Sequence, residues 1–519
     1  MAAHSYDSTT LNSAGETTVR DRDLLERLPT LTIVWHPDVA RVGQSALVAS
    51  DIDLSRNRPS FGHRAHGSSG SPLGDPYISA REPSFGIRVL PEKIEIAPRG
   101  PLANVRVNGT RLTEPVLLSH RDLDRGVVIA IARRVVLCLH LARSTRVTFR
   151  SDHGLVGTSD AIDDIRREID QISDLDVPVL IEGESGTGKG KVAAAIVAAS
   201  SRAGRPLLSI NMGATVPSTA ASDLFGHERG AFTGANVAKT GLFAAADGAT
   251  LFMDEIGLTP ADVRPMLLHV LETGDIRPLG STRTRRVDVR FISATDTDLQ
   301  KAIASGQFSE ALYQRVARCH LTMPPLRDRR EDFGPLLVHF LRLAFKSCGE
   351  PDHLEADREP WLSASNVAAL ALHDWPGNVR ELENVAGQIV MHSRGQSTAS
   401  LPPSVDTLLS GGQHRSPPPV TRPSIGSQSQ ITDEQVAEAL AAGNGSASRA
   451  AKILGVSRTT YYELRKRNPN LRSIGAIPDS EILSCREECS GDVLKMAERL
   501  HVPVKALKDR LAQLLRPPR

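Results

Sequence analysis

The chain has 519 residues, 40% hydrophobic and 24% charged, with 62 Lys and Arg against 60 Asp and Glu. That length suggests about three to four domains at roughly 150 residues each, and the hydrophobic share suffices for buried cores. Five cysteines (138, 319, 348, 485 and 489) in so long a chain exclude a disulfide scaffold and fit a reducing compartment. The net charge of +2 neither requires nor excludes a polyanionic partner.

The polar start, Met1 to Thr10, carries no signal-peptide pattern, so a cytoplasmic protein is expected. Up to Arg150 the pattern is strand-like, and an all-β sandwich is predicted over 28–145. Leu31–Trp35 and Gly86–Leu90 are rich in β-branched residues, and Ser55–Asp75, with few apolar positions, reads as a loop. Asn108-Gly109 between two short alternating runs signals a type I′ hairpin. Val127–Ile131 and Val135–Leu139 read as another hairpin, and Arg133 and Arg134 between them break the most apolar stretch, so no membrane span is expected. This region resembles forkhead-associated (FHA) domains, readers of phosphothreonine peptides. The resemblance places Ser79, Asn108 and Gly109 at that family's Ser and Asn-Gly positions and implies a phosphorylated protein or kinase as partner. Val42-Gly43-Gln44 lacks the family's arginine, and Arg81 is the available substitute. The alternative is a sandwich kept for protein contacts.

From 153 to 326, apolar strands alternate with helical segments, which predicts an α/β domain with a buried parallel sheet. The strand candidates are 177–181, 207–211, 250–253 and 287–294. Residues 327–393 read as a helical lid. Gly183-Glu184-Ser185-Gly186-Thr187-Gly188-Lys189-Gly190 lies between a strand and a helix, as a phosphate-cradling loop does. Lys189 is placed to reach the β- and γ-phosphates of ATP. Asp254 and Glu255 end a later strand; Asp254 suits magnesium and Glu255 suits orienting a water.

Between these motifs lies Gly230-Ala231-Phe232-Thr233-Gly234-Ala235. With the two nucleotide motifs it resembles the sigma-54-dependent transcription activators, bacterial AAA+ ATPases, over about 153–393. The resemblance implies that this loop engages sigma-54 RNA polymerase and that ATP and Mg2+ are cofactors. It implies that Asn211 links Glu255 to nucleotide state and that Arg380 senses the γ-phosphate. It also implies a hexameric or heptameric ring in which Arg315 reaches the neighbour's nucleotide. Three positions depart from that family: Gly190 replaces Glu, Asp296 replaces Asn, and Ser309 replaces a second arginine finger. On the residues alone, Asn378 reads as the N-cap of the helix that carries Arg380.

Residues 394–430, rich in Pro, Ser and Gln, are predicted to be a disordered linker. Residues 431–470 read as a helix-turn-helix resembling the Fis-type DNA-binding domain. Over 449–467 six cationic residues face one acid, Glu463. Ser457, Arg458, Thr459, Thr460 and Tyr461 would enter the major groove, with Arg465 and Lys466 available to phosphates. Residues 477–513 align on 431–467 without gaps, so 477–515 is either a second reader or a packing partner.

The expected function is a bacterial sigma-54-dependent activator that binds enhancer DNA and remodels the polymerase with ATP. The alternatives are a nucleotide-switched DNA-binding regulator with little turnover and a general AAA+ remodeller.

Overall fold

The computed structural model describes residues 27–63, 70–99, 104–144, 149–354, 359–411 and 478–489, with seven positions between 493 and 514. The chain forms two compact units, 1–413 and 414–519.

The N-terminal part of the first unit is a pair of antiparallel sheets. One has six strands in the order Ser45–Leu47, Arg27–Trp35, Val135–Arg143, Val127–Ile131, Val105–Val107, Thr110–Arg111. The other has four, Val116–Ser119, Lys93–Pro98, Phe85–Leu90 and Ile52–Leu54. Asn108 at φ 46° and Gly109 at φ 79° make the turn that Asn-Gly predicts. The second hairpin turns one residue earlier than its arginine pair suggests, on Ala132 and Arg133, both at positive φ. Within the predicted loop 55–75, the described residues include a strand pair: Ser60–Phe61 pairs with Ser71–Pro72, and Phe61 is wholly buried.

The sandwich core lies between the sheets, on Ile33, Val127, Ile129, Ile131, Leu137 and Leu139. The alternate residues of these strands, Val34, Val128, Ala130, Val136 and Cys138, face the other way and are also buried. They join a second core formed with the helices Phe333–Cys348, Ala364–Leu372 and Asn378–His392.

In sequence, the α/β domain lies between the sandwich and these helices. Its five-stranded sheet is parallel throughout, ordered Leu207–Asn211, Thr250–Asp254, Arg290–Thr295, Val179–Glu182, Cys319–Thr322. Both faces are covered, as the continuous apolar runs require: Leu251, Met253 and Phe291 meet one helical layer, and Val179, Ile181 and Ile292 meet Ile165, Ile169 and Ile196 on the other.

The segment predicted as linker begins differently. Pro403–Gly411 is a helix, with Val405 buried in the core of the lid helices. Proline suits a first helical turn, where its missing N–H would have no partner. The rest of 412–477, including the Ser457 to Lys466 DNA-reading candidates, lies outside the described residues. In the second unit, Asp479–Glu488 is helical, and Ile482, Cys485, Met496, Leu507 and Leu511 form a small apolar cluster. No helix among the described residues is long and apolar enough to cross a membrane.

Candidate functional site

The strand Val179–Glu182 runs into the 183–190 loop, and the helix Lys189–Ala198 starts where the loop ends. Gly183, Gly186 and Gly188 all have positive φ. Gly186 is also a close approach: a Cβ there would lie 2.3 Å from the Gly377 carbonyl oxygen. Thr187 Oγ1 donates to the Glu184 carbonyl at 2.8 Å, and Gly190 stands in open space. The Lys189 side chain is 7% exposed, and its ammonium donates to the carbonyls of Gly183 at 2.7 Å and Glu184 at 3.3 Å. Among the described residues no carboxylate forms an ion pair with it. A buried cation without an anion is costly, so this cradle at a helix N-terminus fits a bound phosphate chain.

The lid closes directly on this loop. Glu184 makes a two-pronged ion pair with Arg327, at 2.8 and 2.5 Å. Arg327, helped by Asn378, holds the Glu184 carboxyl down at about 2. Asn378 is fully buried at φ 53°. It donates to Glu184 Oε2 at 3.1 Å and the Ser185 carbonyl at 3.0 Å, and it accepts from the Leu326 amide at 2.9 Å. Asn378 is therefore not the expected helix cap; Glu381 Oε2 accepts the Gly377 N–H instead, at 2.8 Å. Arg380 donates from its amide to Gly186 O and from its guanidinium to Ser185 Oγ, each at 3.2 Å. Behind the loop, Arg329 is 2% exposed and donates to Thr187 O at 3.1 Å.

Asp254 ends the strand next to that of Asn211, and the Asn211 amide donates to Asp254 Oδ2 at 3.0 Å. Register sets Asn211 directly beside Asp254. Glu255 sits at φ 57° just beyond the strand, where its Oε2 accepts the Asp296 amide at 3.3 Å. Burial raises the Glu255 pKa; the Asp296 charge adds to the rise, while the Asp296 amide and the Lys189 charge oppose it.

This arrangement predicts a pH effect. A carboxylate such as that of Glu255 can take up a proton only when ionised, and Asn at 296 removes a negative neighbour while keeping the backbone N–H. Its pKa then falls, so the acid limb of the ATPase pH–rate profile should move to lower pH in Asp296→Asn. An unmoved or upward-shifted limb would show that Asp296 does not act on Glu255.

Arg315 does not project freely. Its guanidinium donates to the carbonyls of Leu271 at 2.9 Å and Glu272 at 3.3 Å, near the C-terminal end of the helix Arg264–Thr273, where a cation is favoured. Ser309 caps the helix Glu310–Val316 by accepting the Leu312 amide.

The 230–235 loop lies between the two short paired strands Gly226–His227 and Lys239–Thr240. Gly230 at φ 83° and Gly234 at φ 101° bracket it, and Gly230 N–H bonds to Ala235 O at 2.8 Å. Ala231 sits partly covered beneath the tip and Ala235 is buried at the base, while Phe232 is 47% exposed and Thr233 is exposed. The His227 ring packs edge-on against Phe232 at 5.0 Å.

In the sandwich, Ser79 Oγ accepts the amides of Arg81 and Glu82, and Asn108 Oδ1 accepts the Val128 amide. Among the described residues no hydrogen bond or ion pair joins Asn108 to Ser79 or Arg81, and the Ser79–Arg81 bond uses the Arg81 backbone amide. Arg41, which the sequence reading passed over, buries its guanidinium against the carbonyls of Ser71, Pro72 and Leu73.

A parallel five-stranded sheet, a lysine-bearing glycine loop, an adjacent Asp-Glu pair and a helical lid seated on the loop define an AAA+ P-loop ATPase. Residues 155–322 match the family described as "Sigma-54 interaction domain", and 327–415 match "AAA+ ATPase lid domain". The chain is 36% identical to the regulatory protein AtoC of Escherichia coli over 348 residues, 66% of this chain and 73% of that protein. It is 43% identical to the DNA-binding transcriptional regulator NtrC of Escherichia coli over 242 residues, 47% of this chain and half of that protein. A solved structure of NtrX from Brucella abortus in complex with ATP aligns at 29% identity and TM-score 0.44, covering 61% of this chain and 69% of that one. The chain belongs to the sigma-54-dependent activators, the NtrC and AtoC family.

Proposed function

We propose that this protein binds ATP with Mg2+ in the 183–190 loop and hydrolyses it to remodel sigma-54 RNA polymerase. The observation that carries this reading is the buried ammonium of Lys189, which pairs with no carboxylate among the described residues, under a lid that reaches Ser185 and Gly186 through Arg380. ATP supplies the transferable phosphoryl group, and Mg2+ neutralises charge on it. In this chain Lys189 and the loop amides bind the phosphates. Asp254, held by Asn211, would hold the metal. Glu255 would orient the attacking water and take up its proton. Arg380 reads nucleotide state from the lid, and Gly230 to Ala235 form the polymerase contact, with Phe232 and Thr233 at the tip. The protein works as a hexameric or heptameric ring in the bacterial cytoplasm and binds enhancer DNA through 431–470. An N-terminal FHA-like domain receives the signal.

The test uses the full chain. It should hydrolyse ATP and, with a transition-state analogue of ATP, retain sigma-54 on a gel-filtration column. Thr233→Ala should abolish retention and leave hydrolysis intact. Retention unchanged in that variant refutes the role of the loop, and no hydrolysis by an assembled ring refutes the enzyme.

Ser309 as a helix cap and Arg315 bonded within its own subunit favour a second reading, a nucleotide-switched regulator with slow turnover.

A further inference from the structure

An antiparallel sandwich ordinarily turns polar residues outward from its sheets. Here the outward residues of three neighbouring strands are buried, and most are apolar, with Thr32 and His140 bonded to each other at 2.8 Å beside them. Val34 is 0% exposed, Val128 1%, Val136 0% and Cys138 0%, and they pack with Phe333, Leu336, Leu337 and Trp375 of the lid. The contact is close: a Cβ on Gly334 would lie 2.2 Å from Val34 O, and one on Gly43 would lie 3.0 Å from Thr158 and 3.3 Å from Pro335. Polar ties rim it. Arg134, held within the sandwich by Asp75 at 3.0 Å, pairs across the seam with Glu359 at 2.5 Å, and Arg330 donates to Gly126 O at 3.3 Å. Arg143 grips Asp164 with both guanidinium nitrogens, at 2.7 and 2.5 Å.

The seam leads on to the nucleotide loop. Phe333 and Gly334 follow Asp332, which is fully buried and accepts from Ser159 N and Ser159 Oγ, both at 2.7 Å. Its partner Arg329, at 3.6 Å, donates to Thr187 O inside the loop. One short, wholly buried run thus connects the sandwich, the start of the α/β domain and the phosphate cradle.

We propose that the N-terminal sandwich is a docked clamp on the ATPase lid: seated on Phe333–Cys348, it holds the Arg329–Asp332 turn against the nucleotide loop, and its release changes nucleotide binding. A signal received by the sandwich therefore reaches the ATPase by docking and undocking on this seam. The coupling rests on the nucleotide site proposed above; the docking itself does not.

Cys138 reports the seam, because its thiol is buried there and becomes reachable only when the lid leaves. Ala130→Arg places a cation at the same face, where a released sheet would tolerate it in water. Gly334→Ala wedges the seam from the lid side and changes no residue of the sandwich. Gly387→Ala is the control, a lid glycine whose added Cβ would meet nothing within 4 Å. In the full chain, alkylation at Cys138 followed by peptide mass spectrometry should be very slow in the native protein and in Gly387→Ala. It should be at least ~10-fold faster in both seam variants. Amides of 127–131 should stay protected from exchange, since the sandwich ladder persists. Affinity for ADP should change by about 5-fold or more with undocking, the range of ordinary coupling between sites. Native Cys138 labelling at the rate of an exposed thiol overturns the docking, as does slow labelling in Gly334→Ala. Fast labelling with unchanged ADP affinity overturns the coupling. A native chain that binds no ADP refutes the nucleotide site and leaves the labelling result standing.

Discussion

Glu255→Gln is expected to lower ATP turnover by about 10²–10⁴-fold, the contribution typical of a positioned general base, with ADP affinity close to that of the native chain. Glutamine keeps the shape and one carbonyl oxygen, so the hydrogen bond from the Asp296 amide survives. The αL backbone of Glu255 depends on its place after the strand and not on its charge, so the turn should be retained. What is lost is the carboxylate that can accept a proton. Lys189, Asp254 and the lid contacts through Arg380 are untouched, which is why binding should persist. Steady-state turnover with parallel ADP titration separates the two effects. Equal loss of both would mean that Glu255 supports the fold of the site; retained turnover would remove it from the chemistry.

The parts of this fold set by local rules were legible in the sequence. Asn108-Gly109 predicts its turn because that pair tolerates two successive positive φ angles. The strand 207–211 is found at its predicted bounds, and three others shift by one to three residues. The bonds that assemble the site were not legible, because they join distant positions. Glu184 meets Arg327 across 143 residues and Asn378 across 194, and no periodicity carries that information. Asn378 had a sound local reading as a cap; the tertiary bonds to Glu184, Ser185 and Leu326 displaced it. The helix Pro403–Gly411 was hidden by its own first residue, since adjacent prolines suggest a linker while one proline also suits a helix start.

One further signal lies in the sequence of the sandwich strands. Val127–Ile131 and Val135–Leu139 are apolar at every position, whereas a free sandwich sheet should alternate. Such runs require cover on both faces, and the lid supplies the second.

Ser309→Arg is expected to raise ATP turnover of the assembled ring by an order of magnitude or more, since an arginine supplied to the transferring phosphoryl group is worth 10³–10⁵ in related chemistry. Arg315 is a poor substitute as it stands, because its guanidinium is committed to Leu271 O and Glu272 O within its own subunit. The substitution has a local cost. Ser309 caps the helix Glu310–Val316, and loss of such a cap destabilises by about 0.5–2 kcal/mol. That cost should appear as a lowered melting temperature and not as lost turnover. Ser309→Ala isolates it: the same loss of stability, no gain in rate. Ser309→Lys adds charge without the planar fork and should recover less than arginine. Sedimentation must show the same ring for all four proteins. Unchanged turnover in a ring of Ser309→Arg would mean that the missing arginine does not limit this ATPase, and the cause of any slowness would then lie with Asp296 beside Glu255 or with the docked lid.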